Sequence, residues 1–531
     1  MTAATEASGA MGAGRTAISR RPVLVMTVVL VATFVINLDT TIVNVAIPAL
    51  GRELHASTSG QQWVVDAYNL AFAGLILTGG TIGDRFGRRR TLAAGLGVFA
   101  LGSAIAAAVS STGSLITWRI VMGAAAAFIF PTTLSIISQT FTDRASRAKA
   151  IGAWGAATGV AVAVGPIAGG ALLAHYWWGS IFLAMVPIAA LTMIGALLFI
   201  PSDRPDTGNS LDIRGIATSA LALVSLVYTI IEAPDRGWVS ASTIAGFLVA
   251  AAAFAALIVV ERRQTHPMLD VKLFANLRFT AASGAVTLAW FALAGFIFLI
   301  ILYFQIMRGY SALDAGVRTL PVAACIAVSS GIGTVLAVRL GNKLVISTGL
   351  VLVAAGYGWI AVWQTETTSY WLIVGQMILL GTGMGLSTAP ATEAILGVVR
   401  PEQAGVGSAV NDATRLIGAT LGVAVLGSIY ASLYRTKIDD STAPAAIRTA
   451  AKASYGAGHT IAQQLPAPAG RDLLSHANSG FLDGLRAGCG VAAGVCIVGA
   501  AIVLAFLPSY PQGEAQPATS APADLAVDAT A

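Results

Sequence analysis

The sequence predicts an all-α integral membrane protein with about 14 transmembrane helices, from its composition, the length of its apolar segments and the distribution of its basic residues. Of the 531 residues, 56% are hydrophobic and 11% are charged. A soluble domain carries about 25% charged residues. Because so few charges cannot cover a surface that faces water, the composition favours a chain surrounded by lipid.

The apolar segments are long enough to cross a bilayer, which takes about 20 mostly apolar residues in a helix. On this criterion spans are predicted near 23–47, 63–83, 92–110, 115–138, 149–173, 180–200, 214–232, 239–260, 279–306, 316–337, 344–363, 370–392, 404–430 and 485–507. The first segment exceeds the apolar core of a signal peptide, about 7–15 residues, and contains Asp39. We therefore interpret it as a retained helix.

The basic residues of the loops separate into two faces. One face holds Arg15, Arg20, Arg21, Arg85, Arg88, Arg89, Arg90, Arg144, Arg147, Lys149, Arg204, Arg214, Arg262, Arg263, Lys272, Arg278, Arg339, Lys343 and Arg400. The short loops of the other face hold only Arg52, Arg236, Arg308 and Arg318. Since lysine and arginine in short loops stay on the cytoplasmic side, the first face is predicted to be cytoplasmic. We expect a multi-pass protein of the cell membrane with both termini inside.

The spans suggest a modular organisation. The predicted order is a cytoplasmic tail (1–21), an N-terminal six-helix bundle (22–205), an inserted pair of helices (206–265), a C-terminal six-helix bundle (266–508) and a disordered cytoplasmic tail (509–531). A long extracellular loop is predicted at about 431–484. Two related halves with a substrate site between them are a common transporter plan.

The loop between the second and third spans carries the most specific pattern, GTIGDRFGRRR from Gly80 to Arg90. Glycine permits a tight reversal, a carboxylate can accept hydrogen bonds from arginines, and arginines anchor the cytoplasmic face. A decayed copy, LAVRLGNK, follows the tenth span. Simple anchoring by the positive charges is the alternative interpretation of the arginines.

Taken with three further runs, this loop resembles the signature of the major facilitator superfamily, in its 14-helix branch of drug:proton antiporters of EmrB/QacA type. The runs are LDTTIVNVAIP (38–48), WRIVMG (118–123) and the stretch from Gly159 to Gly170. The resemblance covers essentially the whole chain. It implies the major facilitator fold, two six-helix bundles plus the inserted pair, and the export direction.

The resemblance also implies roles for individual residues. The signature loop controls the conformational change through Gly80, Asp84, Arg85, Gly87, Arg88 and Arg89. Arg119 is linked to proton transfer, and the antiporter signature of the fifth helix comprises Gly165, Pro166, Gly169 and Gly170. Ordinary close packing of helices explains these glycines almost as well.

Three charged residues within the spans are candidates on physical grounds. A charge in mid-span costs about 2.5–3.5 kcal/mol on insertion scales, so Asp39 should face the bundle interior and is a candidate proton carrier. Arg119 cannot lose its charge and would pair with a carboxylate or a backbone carbonyl. Asp66, near Trp63 and Tyr68, suits a lipophilic cation. The alternatives are an Asp39 carboxylate held by threonine or asparagine for packing, an Arg119 that snorkels outward, and an Asp66 that faces water.

We therefore predict a proton-coupled exporter of amphipathic drugs or antibiotics. The rival is a dedicated exporter of one natural product that gives self-resistance, and a membrane enzyme or sensor is a third possibility. No G-x-x-x-x-G-K-[ST] motif occurs, so ATP should not drive the protein directly. The expected partners are a small amphipathic substrate, protons and the lipid bilayer. We expect no cofactor, metal or nucleic acid, and function as a monomer.

Overall fold

The computed structural model describes residues 22–202, 212–264, 269, 271–398 and 404–508. The predicted tails, 1–21 and 509–531, lie outside the described residues, and so do the boundaries predicted at 205/206 and 265/266. The backbone of Asp84 is described but its side chain is not.

Every regular element in these residues is a helix. The α-helices are α1 (Pro22–Glu53), α2 (Thr58–Phe86), α3 (Arg88–Ala108), α4 (Thr112–Thr140), α5 (Arg144–His175), α6 (Ser180–Leu183), α7 (Met185–Phe199), α8 (Ile213–Arg236), α9 (Ala241–Arg263), α10 (Leu277–Leu302), α11 (Ala312–Arg318), α12 (Leu320–Leu340), α13 (Asn342–Trp363), α14 (Tyr370–Leu396), α15 (Ala404–Asp439), α16 (Ala445–Ala451), α17 (Tyr455–Gln464) and α18 (Ala467–Phe506). A 3-10 helix (Val271–Ala275) precedes α10 and a π-helical turn (Tyr303–Met307) follows it.

The predicted number of transmembrane helices is confirmed. Fourteen helices or helix pairs in the described residues are long and apolar enough to cross a membrane. Helix α6 with α7, and α11 with α12, each make one span, while α16 and α17 are too short to cross. An even number of spans places the start of α1 and the end of α18 on one side, which we call the terminal face. The opposite side is the far face.

The helices form two bundles joined by a pair. In the first, α1 packs on α5 and α2 on α4; in the second, α10 packs on α15 and α14 lies between α12 and α13. Helices α8 and α9 pack on each other, and α8 also contacts α2 and α15. Helix α8 of the inserted pair therefore lies along the seam where α2 and α15, helices of different bundles, meet.

A glycine turn recurs in the two bundles. Gly87 connects α2 directly to α3 with φ of 92°, and Gly341 connects α12 to α13 with φ of 83°. Only glycine adopts this conformation without a steric penalty. The weak sequence repeat between the two loops thus corresponds to the same glycine turn in each bundle.

The segment 431–484 was predicted to be a long loop. Most of it is helical, so the prediction was wrong about its secondary structure. Helix α15 continues to Asp439, α18 begins at Ala467, and α16 and α17 lie between them. Buried aromatic rings hold these pieces together, with Tyr455 stacked on Phe481 at 4.6 Å between centroids. We call α16, α17 and the adjoining ends of α15 and α18 the far-face cap.

Candidate functional site

An ion pair between α1 and α4 lies inside the first bundle. Arg119 Nη1 donates to Asp39 Oδ2 at 2.5 Å, and the two side chains are 1% and 0% exposed. The other carboxylate oxygen, Asp39 Oδ1, has no hydrogen-bond partner among the described residues. The pair therefore leaves one buried acceptor free to take a proton.

Aromatic rings and backbone fix the arginine of this pair. Arg119 Nε donates to Val64 O of α2 at 2.9 Å. The guanidinium carbon lies 4.3 Å from the ring centroid of Tyr68 and 5.8 Å from that of Phe182. These contacts and its burial rule out an Arg119 that snorkels to the membrane surface. The asparagine and threonine side chains nearest Asp39 along α1 donate to the α1 backbone and not to its carboxylate, as Asn37 does to Thr33 O.

Asp66 lies on a different face of α2, toward the second bundle. One turn earlier, Gln62 Nε2 donates to Val423 O and Ala424 O of α15, at 3.0 Å each. Asp66 is fully buried, and neither carboxylate oxygen has a hydrogen-bond partner in the described part of the chain. Since i and i+4 side chains share a helix face, Asp66 is covered by the α2–α15 contact rather than by water.

The glycines of the signature loop have unequal surroundings. A Cβ added at Gly80 would meet no atom within 4 Å, whereas one at Gly79 would collide with the backbone of α4 at Ala127. Gly87 makes the turn, and Arg85 lies 5.9 Å from the Phe86 ring centroid. Arg88 and Arg89 belong to the first turn of α3. Sequence reasoning singled out Gly80 and missed Gly79, whose contact depends on the rotation of α2.

The glycines of α5 serve two different contacts. A Cβ at Gly165 would collide with Thr41, and one at Gly169 with Ile42, so both let α5 approach α1. The remaining two residues of the motif face the other bundle. A Cβ at Gly170 would collide with the backbone of Leu313 in α11.

The contact between α5 and α11 is reciprocal. A Cβ at Gly316 of α11 would collide with Pro166 O, so each helix presents a glycine to the backbone of the other. Sequence reasoning missed Gly316, which carries no motif around it. The two bundles therefore touch backbone to backbone near the far face.

The described residues contain no group of three or more His, Cys, Asp or Glu side chains that could hold a metal ion. What the geometry offers is a sealed ion pair in one bundle and a close, glycine-lined contact between the bundles.

Comparison with known proteins decides the family. The model of the Major Facilitator Superfamily matches residues 29–423. The chain belongs to this superfamily. It is therefore a transporter and not an enzyme, and the predicted fold is confirmed.

Its relatives place the transporter among drug exporters. The multidrug efflux pump LfrA of Mycolicibacterium smegmatis is 34% identical over 91% of this chain and 94% of its own length. The tetracenomycin C resistance and export protein of Streptomyces glaucescens is 29% identical over 98% of both chains. These relatives confirm the predicted resemblance to the drug-exporting branch.

Solved structures agree on the fold. A bacterial homologue of the human lysosomal transporter Spinster, in an inward-facing and unoccupied conformation, superposes with a TM-score of 0.65. The two chains share 16% sequence identity, and the match covers 92% of this transporter and 99% of the homologue.

The transporter is closed at its far face. Besides the α5–α11 contact, Gln305 Nε2 of the second bundle donates to Val45 O of α1 at 2.8 Å. Thr58 N of α2 donates to Ala453 O in the far-face cap, also at 2.8 Å. In contrast, the terminal-face half of α5 has open space beside it, since a Cβ at Gly155 would meet nothing within 4 Å.

A second ion pair lies in the other bundle. Arg415 Nη1 lies 3.4 Å from Asp412 Oδ1 on the same helix, and its guanidinium carbon lies 4.4 Å from the ring centroid of Trp290 in α10. Such pairing within one helix is the ordinary structural interpretation for residues three apart. The Trp290 contact joins α10 to α15 and had no signal in the sequence.

Proposed function

We propose that this drug exporter of the major facilitator superfamily is driven by proton exchange, with Asp39 as the proton carrier and Arg119 as the partner that alters its proton affinity. The substrates would be amphipathic drugs or antibiotics, many of them cationic. The protein would act as a monomer, because one chain supplies both bundles and the seam between them.

The observation that carries this proposal is the sealed Asp39–Arg119 pair. A buried carboxylate can change its charge only when water or a proton path reaches it. Arg119 keeps its charge throughout, so the pair exists either as an ion pair or as a protonated acid beside a cation. The two forms differ in net charge, which is the property that a proton gradient can act on.

The proposed mechanism is a rocking motion of the two bundles about a central site. We place the terminal face in the cytoplasm from the distribution of basic residues. With the bundles held together at the far face by the α5–α11 contact, by Gln305 and by the contact of Gln62 with α15, the conformation would then be inward-facing. Opening toward the outside would require these contacts to separate, and it would expose Asp66 at the seam.

Proton-driven export predicts that energised cells expressing the protein extrude ethidium and that a protonophore stops them. We expect the protonophore to reduce the initial efflux rate about tenfold or more, since the gradient supplies the driving force. The measurement is ethidium fluorescence in preloaded cells, with empty-vector cells as the control. Efflux that persists after the gradient collapses, in cells still holding ATP, would contradict proton coupling.

Asp66 is proposed to bind the cationic part of a substrate once the seam opens. Replacing it with asparagine keeps the shape and removes the charge. We therefore expect Asp66→Asn to lower the apparent affinity for a lipophilic cation about tenfold, the equivalent of about 1.4 kcal/mol. Efflux of an uncharged substrate should change less than about twofold. Equal losses for both substrates would show that Asp66 acts on the conformational change and not on the cation.

Export of a single natural product remains the second candidate. The relative from Streptomyces glaucescens is named for resistance to, and export of, one compound, tetracenomycin C. A screen of antibiotics against cells with and without the protein separates the two. Protection against one chemical class alone would favour the dedicated exporter, and protection against several unrelated classes would favour multidrug efflux.

A further inference from the structure

A cluster of aromatic and charged side chains lies at the far-face end of the seam, between α2 and α8. Trp63 Nε1 donates to Glu232 Oε1 at 3.3 Å, and the rings of Trp63 and Tyr228 lie 6.0 Å apart. Arg236, one turn beyond Glu232, lies over the Tyr228 ring at 4.9 Å from its centroid. Arg236 also donates to the Tyr228 hydroxyl. We call Trp63, Tyr228 and Glu232 the seam cluster.

The seam cluster has the chemistry that recognises an organic cation. A cation is attracted to the faces of tryptophan and tyrosine and to a carboxylate at the rim. In this conformation the cation present is the guanidinium of Arg236. Its ion pair with Glu232 is weak, because Arg236 Nη2 lies 4.0 Å from Glu232 Oε2 and the arginine side chain is 39% exposed. Exposed ion pairs one helical turn apart contribute little to stability, so a ligand could displace Arg236 from Glu232 at a small cost in free energy.

The position of the seam cluster links it to opening of the far face. Helix α8 is tied to α15, since Ser428 Oγ donates to Ile230 O at 2.8 Å and Trp238 Nε1 to Ser432 Oγ at 2.9 Å. Trp63 belongs instead to α2 of the first bundle. When the bundles separate at the far face, Trp63 should move away from Glu232. The cluster is then complete in the closed state and divided in the open state.

We propose that Trp63, Tyr228 and Glu232 form a second binding site for lipophilic organic cations at the far-face end of the α2–α15 seam, in which Arg236 is the resident cation that the ligand displaces. The inference rests on the proposed function, because it assumes that cationic drugs are the cargo. It assigns the inserted helix pair a role in binding substrate on the far side of the membrane.

The test is equilibrium binding of ethidium to the purified full chain in detergent, followed by fluorescence. Glu232→Gln removes the attracting charge and should weaken binding about tenfold, whereas Arg236→Gln removes the competing cation and should tighten binding about threefold. Asp439→Asn is the control, because it removes an exposed carboxylate that pairs with Lys452 in the far-face cap. It should leave binding within about twofold of the intact protein.

The opposite signs of the two changes separate a binding site from a structural tie. If the seam cluster only fastened α2 to α8, Glu232→Gln would weaken the contact with Trp63, whereas Arg236→Gln, whose contacts lie within α8, would leave binding unchanged. That result, or no change in either variant, would overturn the proposal. The proposed function would fail differently, through an intact protein that shows no protonophore-sensitive efflux. Efflux that remains proton-driven while both variants bind ethidium like the intact protein would reject the seam site alone.

Discussion

Replacing Asp39 with asparagine is expected to abolish proton-driven efflux, with a fall of about 100-fold or more in the initial rate, as for loss of a group that transfers protons. Asparagine has the shape of aspartate but cannot carry a proton through the transport cycle. The change also leaves Arg119 as a buried charge without its carboxylate, which costs about 3–5 kcal/mol of stability. Ethidium efflux and the thermal unfolding temperature of the purified protein should therefore be measured together.

Two controls separate loss of coupling from loss of folding. The double variant Asp39→Asn with Arg119→Gln removes both charges, so it should regain much of the stability and still fail to couple. Asp483→Asn breaks an exposed pair with Lys437, 3.9 Å apart, and should leave efflux unchanged. Proton-driven efflux in a well-folded Asp39→Asn protein would remove Asp39 from the mechanism while leaving the transporter assignment intact.

The second large effect is expected from a single methyl group at Gly170. Gly170→Ala places a Cβ against the backbone of Leu313, and neither helix can give way by rotating a side chain. Overpacking of this kind costs about 1–3 kcal/mol. Because this contact closes the far face, the change should shift the population toward a state in which the far face is open. We expect about a tenfold or larger loss of efflux, since about 1.4 kcal/mol shifts an equilibrium tenfold.

The matched control lies on the same helix. Gly155→Ala adds the same methyl group where no atom lies within 4 Å, so efflux should stay within about twofold of the intact protein. Both substitutions favour the helix itself, because alanine stabilises a helix interior by about 1 kcal/mol relative to glycine. A difference between them therefore reports the contact with α11.

The shift toward the open state can be observed directly. A cysteine at Asn44, a residue buried in the far-face half of α1, should react faster with a membrane-impermeant thiol reagent in the Gly170→Ala background. The native cysteines, Cys325, Cys489 and Cys496, would first be replaced. Unchanged labelling together with normal efflux would show that the α5–α11 contact does not control the far face.

Much of the fold could be inferred from local sequence. The 14 spans follow from apolar segments of sufficient length, and their ends on one face are marked by basic loops. Both are properties of consecutive residues, because a helix satisfies its own backbone and a span needs only enough apolar side chains. The same reasoning ended the span at 404–430 too early, since hydropathy falls at the membrane surface while α15 continues to Asp439.

The sequence predicted which residues belong to the candidate site, but not which of them contact each other. Asp39 was singled out because a charge in mid-span is costly, and Arg119 because it lies in a motif. Their contact joins residues 80 positions apart, which no local pattern specifies. Asp66 was expected beside Trp63 and Tyr68, but the rotation of α2 directs Tyr68 to Arg119 and Asp66 toward α15.

Composition, span number and the presence of an intramembrane acid are thus readable along the chain, because each depends on the cost of moving side chains from water into lipid. The pairing of Asp39 with Arg119, the backbone contact of Gly170 with α11 and the seam cluster depend on how helices rotate and cross. Helix rotation and crossing are set by packing between segments that are distant in the chain. At such a contact, one added methyl group at Gly170 or Gly316 decides whether two backbones can touch. For this reason the tertiary structure was needed to locate the Asp39–Arg119 ion pair and the far-face contact.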